Sequence, residues 1–554
     1  MWFLQWVPFA MAHGHNPLFT DYANYPHGVN LLNNTSVPLL GAVGAPVTWI
    51  WGAIATYNFW CTAALAGSAF AAFVFVHRFV EWRPAAFGAG LLYGFSPYEI
   101  GQSGHLNLSF VVFPPLILLC LYELVVKQSG SPRRWGILLG LLATAQFFVS
   151  IEVLASTAVI AGICLILVVV IGRRSLGPRL RFACTGAIWG ICVATVLLVY
   201  PLWFVLRGPG YISGPIQLVP QAYRADLLGA LIPGIHQWLS TPGLVHRSNL
   251  FASSTSENGS YLGVTLLVTL LIGVVLLWRK SSVARVAAIG GASAFVISLG
   301  AGLVVRSEPS VPPTGLPLPE RLFTHLPLFS NTVPVRYSLY VVLFAALLLA
   351  LAVDHLHAGF QRSLHARDSS VTSLGSWAVP STLAIACLLP LVPVLPVSPI
   401  GPVGIPTYFT SSSISRIPKD SVALLYPFPT AIVPSAVLWQ AETNMQFKMP
   451  GGYFLVPSGS QHRIAYSPTL LYNTDTLTAR AFSRTFTDGP PSETPALRNA
   501  LRSQLKSWHV QTIVANMIGV PDPNASLQFF TWLTGRAPTA ESGVDVWYPL
   551  NRWA

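Results

Sequence analysis

Nineteen acidic residues in a chain of 554 are few enough to weigh one at a time, and those able to do chemistry sit in short polar phrases between apolar runs. Asp21 lies in FTDYANYPHGVNLLNNTS, where Tyr22, Tyr25, His27, Asn30 and Asn34 surround it. Taken alone Asp21 reads as an Asx turn or a helix cap. Taken with its neighbours it reads as a carboxylate able to bind a sugar hydroxyl, accept a proton or hold a metal, because amphipathic rings and amides are what polyols need. The phrase SPYEIGQSGHLNLS brings Glu99, Gln102, His105 and Asn107 together, either as a polar site or as a solvated turn. Glu152, in QFFVSIEVLAS, sits where two apolar runs meet with almost no loop, so it is either a first-turn acid beside Ser150 or a partly buried proton acceptor. Arg224 and Asp226 in YRADLLGALIPG, Glu257 and Asn258 in SSTSENGSYLG, and Arg336 in NTVPVRYSLY complete the set. A guanidinium at the start of a helix opposes the helix dipole but suits a phosphate, which makes Arg336 a candidate anion ligand.

The elements that must hold these residues are membrane helices. Residues AVILMFWYC make up 53% of the chain and charged residues only 9%, against roughly 25% charged in a soluble domain. Mean hydropathy is +0.57. The net charge of +12 would suggest nucleic acid in a soluble protein. Here, however, Arg78 and Arg83, Arg133 and Arg134, Arg173 and Arg174, Arg279 and Lys280, and Arg362 and Arg367 flank apolar segments at alternate ends, the positive-inside pattern, and no nucleic-acid partner is expected. Apolar stretches near 56–77, 84–98, 106–126, 135–150, 152–172, 182–206, 260–278, 286–305, 335–354 and 376–397 predict about ten spans. With the arginine-rich loops in the cytoplasm, residues 1–55, 207–259 and 306–334 lie outside, and the candidate acids, His105 and Arg336 gather on that outer face. The expected fold is an all-α polytopic bundle, residues 1–398, followed by a small extracytoplasmic α/β domain, residues 399–554. In that tail SVALLY (421–426) and VQTIVA (510–515) read as short buried strands, and Leu497, Leu501 and Leu505 share a helix face. No nucleophile elbow, P-loop or dinucleotide fingerprint occurs there, so the tail reads as a cap or recognition domain.

All six cysteines fall inside apolar runs, so neither a disulfide framework nor a metal site is readable, and a divalent cation stays an open possibility. Trp2 to Met11 is apolar, but as a helix it reaches only about 15 Å and has no basic flank, so it is neither a span nor a signal peptide. The topology then predicts that a first transmembrane helix and the start of the first external loop precede this chain.

At Asn16 to Ser36, Ser96 to Asn107, Glu257 to Gly263, Tyr426 to Pro429 and Gly451 to Tyr453 the sequence resembles bacterial membrane glycosyltransferases of the GT-C superfamily. The resemblance implies a helical bundle with an outward-facing site in the bacterial plasma membrane. It implies a sugar donor carried on polyprenyl phosphate and an envelope glycan, lipid or protein as acceptor. Such enzymes usually place an Asp or Glu in the first external loop, often as a pair, whereas Asp21 stands alone here. Displacing polyprenyl phosphate from an anomeric carbon passes through an oxocarbenium-like state, which needs a base for the acceptor hydroxyl and cations for the leaving phosphate. Asp21, or an acid preceding this chain, and Glu152 are the expected catalytic carboxylates. Arg224 and Arg336 are the expected phosphate ligands, with Tyr25, His27, Asn30, Glu99, His105, Asn107, Glu257 and Asn258 around the substrate. The competing readings are a transporter or flippase of lipid-linked sugars and a catalytically inactive membrane scaffold. Acids at segment ends, such as Asp354 and Glu123, and the lack of inverted repeats weigh against a transporter.

Overall fold

The protein is described from a computed structural model. It covers residues 1–171, 176–216, 222–305, 316–322, 324, 326, 329–365, 373–395, 404–430, 433–467, 481–482 and 489–548. Arg173, Arg174, Arg367 and the expected boundary at residues 398–399 lie outside the described residues. The chain folds into two compact units, one of residues 59–198 and 217–400, the other of residues 1–58, 199–216 and 401–554.

The first unit is a helical bundle, and each of the ten expected apolar segments contains a helix. Among the described residues five helical stretches are long and apolar enough to cross a bilayer: Ala45–His77, Leu106–Lys127, Ile151–Ile171, Leu180–Arg207 and Pro334–Arg362. Val264–Leu277, Ser282–Ser298 and Ser376–Leu391 are shorter apolar helices. The chain is a multi-pass membrane protein. Proline sets many helix starts, where the missing N–H costs nothing: Pro84, Pro97, Pro114 and Pro132 all stand in first turns. The Ser338–His365 helix is the bundle's axis, with Leu339 through Ala350 all buried. It packs against the Arg83–Gly94, Val264–Leu277, Ser282–Ser298 and Ser373–Leu388 helices. Small residues permit the closest crossing. Gly136 and Gly140 face Gly186 and Gly190, and a Cβ on Gly136 would lie 2.1 Å from the Gly186 carbonyl oxygen. Two small-xxx-small stripes therefore meet backbone to backbone, as lipid-embedded helices must when hydrophobicity cannot drive them together.

In the second unit strands β3 (Val422–Tyr426), β6 (Val510–Ala515), β8 (Val544–Trp547) and β7 (Thr539–Glu541) form a sheet in the order β3-β6-β8-β7. β3 and β6 are parallel, and the other pairings are antiparallel. The predicted SVALLY and VQTIVA strands are β3 and β6, and Leu501 and Leu505 are fully buried on the Pro495–Ser507 helix. Two short antiparallel pairs, β1 (Phe19–Thr20) with β2 (Val29–Asn30) and β4 (Phe454–Ser458) with β5 (Arg463–Ser467), lie outside this sheet. The N-terminal apolar stretch is the helix Trp2–His13, whose inner face joins the core of this unit. Trp2 stacks edge-on against Phe454 at 5.0 Å, and its indole Nε1 donates to Gln440 Oε1 at 2.7 Å. Contacts thus group residues 1–58 and 199–216 with the tail.

Candidate functional site

The bundle unit gathers its polar residues where turns between helices meet. Pro334–Tyr337 forms a 3₁₀ turn directly before the Ser338–His365 helix and presents Arg336, whose side chain is only 18% exposed. Its guanidinium Nη2 donates to Glu257 Oε1 at 2.5 Å and its Nε to the same oxygen at 3.1 Å, a two-point contact. Its Nη1 donates to Glu152 Oε2. Glu152 sits in the first turn of the Ile151–Ile171 helix, and its other oxygen accepts the Val333 N–H at 3.1 Å. Glu257 Oε2 accepts from Gln102 Nε2 at 2.8 Å, and Gln102 Oε1 lies 3.0 Å from His105 Nδ1. A continuous polar chain therefore runs from Glu152 through Arg336, Glu257 and Gln102 to the exposed His105. Two carboxylates against one guanidinium leave it one formal negative charge. Buried charges persist only when paired and hydrogen-bonded in this way.

Glycine makes the junction possible. A Cβ on Gly259 would lie 2.6 Å from Tyr98 Cα, and one on Gly101 would lie 2.7 Å from the Ser256 carbonyl oxygen, so the loop carrying Glu257 can seat against the Pro97–Gly101 turn only without side chains there. Glu99 stands on that turn, capped at its N–H by Ser96 Oγ at 3.2 Å. It is completely buried, with no hydrogen-bond partner for either carboxylate oxygen. Burial pushes its carboxyl well above the usual range, which favours the neutral form. Asn258 donates to the Ser248 carbonyl at 3.1 Å, and half-buried Asn107 lies on the Leu106–Ser109 turn. Arg224 is half-buried with its Nε unpartnered. The neighbouring Tyr223 carbonyl accepts the Val335 N–H at 3.1 Å, which ties this loop to the turn that bears Arg336.

The second unit holds the remaining candidates. Asp21, on the turn between β1 and β2, accepts from Lys448 Nζ at 2.5 Å. The ammonium lies 5.2 Å from the Tyr22 ring and 5.3 Å from the Tyr25 ring. Tyr22 donates to Asp420, and burial together with that carboxylate raises its phenol. Carboxylate, ammonium and rings together are a set able to grip a polyol. His27 is exposed, and Asn30 is committed to the backbone. Asn30 donates to the Phe204 and Pro209 carbonyls at 3.0 Å each and caps Leu32. Lys448 and Asp420 were not singled out from the sequence. Lys448 stands three residues before the Gly451 to Tyr453 phrase, the one signal that could have drawn attention to it. Among the described residues no three His, Cys, Asp or Glu side chains are placed to hold a metal ion. All six cysteines are free.

No protein-family model matches the chain, and no curated protein matches it. Solved structures do. The arabinofuranosyltransferase AftD from Mycobacteria superposes with a TM-score of 0.53 at 14% identity, covering 99% of this chain and 37% of its own. The oligosaccharyltransferase AglB from Archaeoglobus fulgidus, solved with an inhibitory peptide and a dolichol-phosphate, aligns at 0.48 and 10% identity over 97% of this chain and 67% of its own. ArnT from Cupriavidus metallidurans, bound to undecaprenyl phosphate, aligns at 0.42 and 10% identity over 98% and 92%. The fold likeness rests on AftD, of which the chain spans little more than a third.

Proposed function

From a fold that is that of the GT-C membrane glycosyltransferases, we propose that this chain transfers a sugar from a polyprenyl-phosphate donor to an acceptor hydroxyl of an envelope glycan, lipid or protein. The observation that carries the proposal is the Glu152–Arg336–Glu257 triad, assembled from three separate turns of the bundle. The lipid-phosphate donor is what the resemblance of the loop phrases implies. On this reading the triad and the tail face the outside of the bacterial plasma membrane.

The triad suits a departing phosphate. Arg336 spends two nitrogens on Glu257 and one on Glu152, so Glu152 is the partner that gives way when a phosphate competes for the fork. A proton taken by Glu152 cancels its charge and releases Nη1 to the leaving group. In the overall reaction the acceptor O–H loses its proton to a carboxylate, the anomeric carbon bonds to that oxygen, and the bond to the phosphate oxygen breaks with its electron pair. Glu152 and Asp21 are the proposed proton acceptors, Arg336 and Arg224 the proposed phosphate ligands. Asp21 with Tyr25 and Lys448 is proposed to hold sugar hydroxyls.

Membranes carrying the full-length protein, incubated with radiolabelled polyprenyl-phosphate sugar, test this directly. Covalent label in a membrane-bound acceptor, lost in Arg336→Ala and in Asp21→Asn at equal protein level, is the expected result. Label that crosses the bilayer without transfer would mean a transporter, and no change in label would mean a scaffold.

A further inference from the structure

One opening in the bundle lies away from the triad. A cavity of about 310 Å³ opens between helices near the arginine-rich end, walled by Phe75, Leu118, Cys164, Ala183, Val286 and Phe344 among others. Among the described residues its only charged wall residue is Arg285. The Ile151–Ile171 helix fixes its position: Glu152 is in the first turn, whereas Ile171, at the other end, lines the cavity. The rise of a helix puts the two about 30 Å apart, the thickness of a hydrocarbon core.

Two independent features supply positive charge in this apolar wall. Arg285 has a buried Nε with no hydrogen-bond partner. It stands in the first turn of the 17-residue Ser282–Ser298 helix, whose N-terminus carries the positive end of the helix dipole. Ser281 caps Ala284 there at 3.1 Å, and among the described residues no acidic residue occupies that turn or the cavity wall. A buried guanidinium nitrogen beside a helix N-terminus asks for an anion, and the walls around it ask for hydrocarbon.

We propose that the cavity binds one anionic phospholipid, with an acyl chain between the helices and the phosphate on Arg285 and the leading amides of the Ser282–Ser298 helix, those of Ser282 and Val283. Basic pockets between transmembrane helices hold anionic headgroups by this chemistry. The occupant is a phospholipid of the nearby leaflet rather than a polyprenyl phosphate that reacts at the triad, because a donor with its phosphate at the triad would bring only tail to this end. Lipid retention is measured without turnover, so this inference stands or falls apart from the transfer reaction.

The test is native mass spectrometry of the full chain, delipidated in detergent and titrated with phosphatidylglycerol, phosphatidylcholine or undecaprenyl phosphate. Wild type should keep one phosphatidylglycerol about tenfold more strongly than phosphatidylcholine, the factor expected of one charge-assisted contact. Arg285→Gln should reduce phosphatidylglycerol to the phosphatidylcholine level, Arg285→Lys should keep most of the preference, and Ala183→Phe, which fills the cavity, should weaken both lipids. Equal retention of the two phospholipids by wild type overturns the proposal, as does undiminished phosphatidylglycerol binding in Arg285→Gln. Tighter retention of undecaprenyl phosphate overturns the choice of occupant. Should Arg285→Gln fail to fold, the wild-type comparison and Arg285→Lys decide.

Discussion

Arg336 is the residue on which the bundle's polar chemistry turns, and removing it has two separable effects. Arg336→Ala strands Glu152 and Glu257 without their cation, and breaking one side of a buried ion pair costs about 3–5 kcal/mol. Thermal unfolding in detergent should therefore fall clearly, whereas Arg336→Lys, which keeps charge but loses the fork, should recover much of the stability and little of the transfer. Glu99 gives the opposite sign. Its carboxyl is raised by burial, so the folded protein binds a proton that the unfolded chain releases above the ordinary carboxylate value of 4.5. Stability from this group declines as pH climbs from that value toward the folded pKa. Glu99→Gln should then raise the unfolding temperature at pH 7 and leave it nearly unchanged at pH 4. A pH-independent difference between the two proteins would refute a neutral Glu99. The candidate acids were legible because so few exist and they cluster in polar phrases. Their pairing was not, since Glu152 and Arg336 are 184 positions apart and nothing local fixes which turn meets which.

At the scale of elements, the helices were readable from apolar runs bounded by Pro and Gly, while the packing that seats them was not. Gly259 illustrates the gap. In sequence it is one loop glycine among 44, and only the structure reveals Tyr98 Cα 2.6 Å from where its Cβ would stand. Gly259→Ala should push back the loop that carries Glu257 and lower transfer at least tenfold with little loss of protein, by misplacing a charged group through about an ångström. Wild-type turnover in that variant would mean that the loop position is irrelevant to the reaction. The facing Gly136 and Gly186 stripes make a companion case. Gly136→Val cannot be accommodated against the Gly186 carbonyl and should cut the yield of folded protein. In the tail, Leu497, Leu501 and Leu505 share the helix face their spacing predicts; Leu501 and Leu505 are fully buried and Leu497 half-buried. Leu501→Ala should cost about 2–5 kcal/mol, measurable as lower protease resistance of this unit.

For the whole molecule, the proposed orientation is the assumption that gathers the candidate residues on one face, and it is open to a direct check. Single cysteines at exposed His27 and exposed Arg416, placed in a background freed of the native cysteines, should react with an impermeant maleimide in intact cells. Protection of both until the cells are opened would put the tail in the cytosol and remove an outer-leaflet reaction. The course of the chain through its second unit was the least legible feature, because amino-acid pattern reports local periodicity and carries little about which distant segments share a core. Trp2, Trp6 and Phe9 belong with Leu425, Trp439 and Phe454. This arrangement sets an order of events during synthesis. The Trp2–His13 helix can pack on Tyr22 and the Pro38–Val43 helix at once, but Trp2 meets Gln440 only 438 positions later, and β3 stays unpaired until Val510–Ala515 follows. Trp2 must therefore be sheltered by lipid or a chaperone until the tail is made, and a ribosome stalled before β6 leaves β3 without its parallel partner.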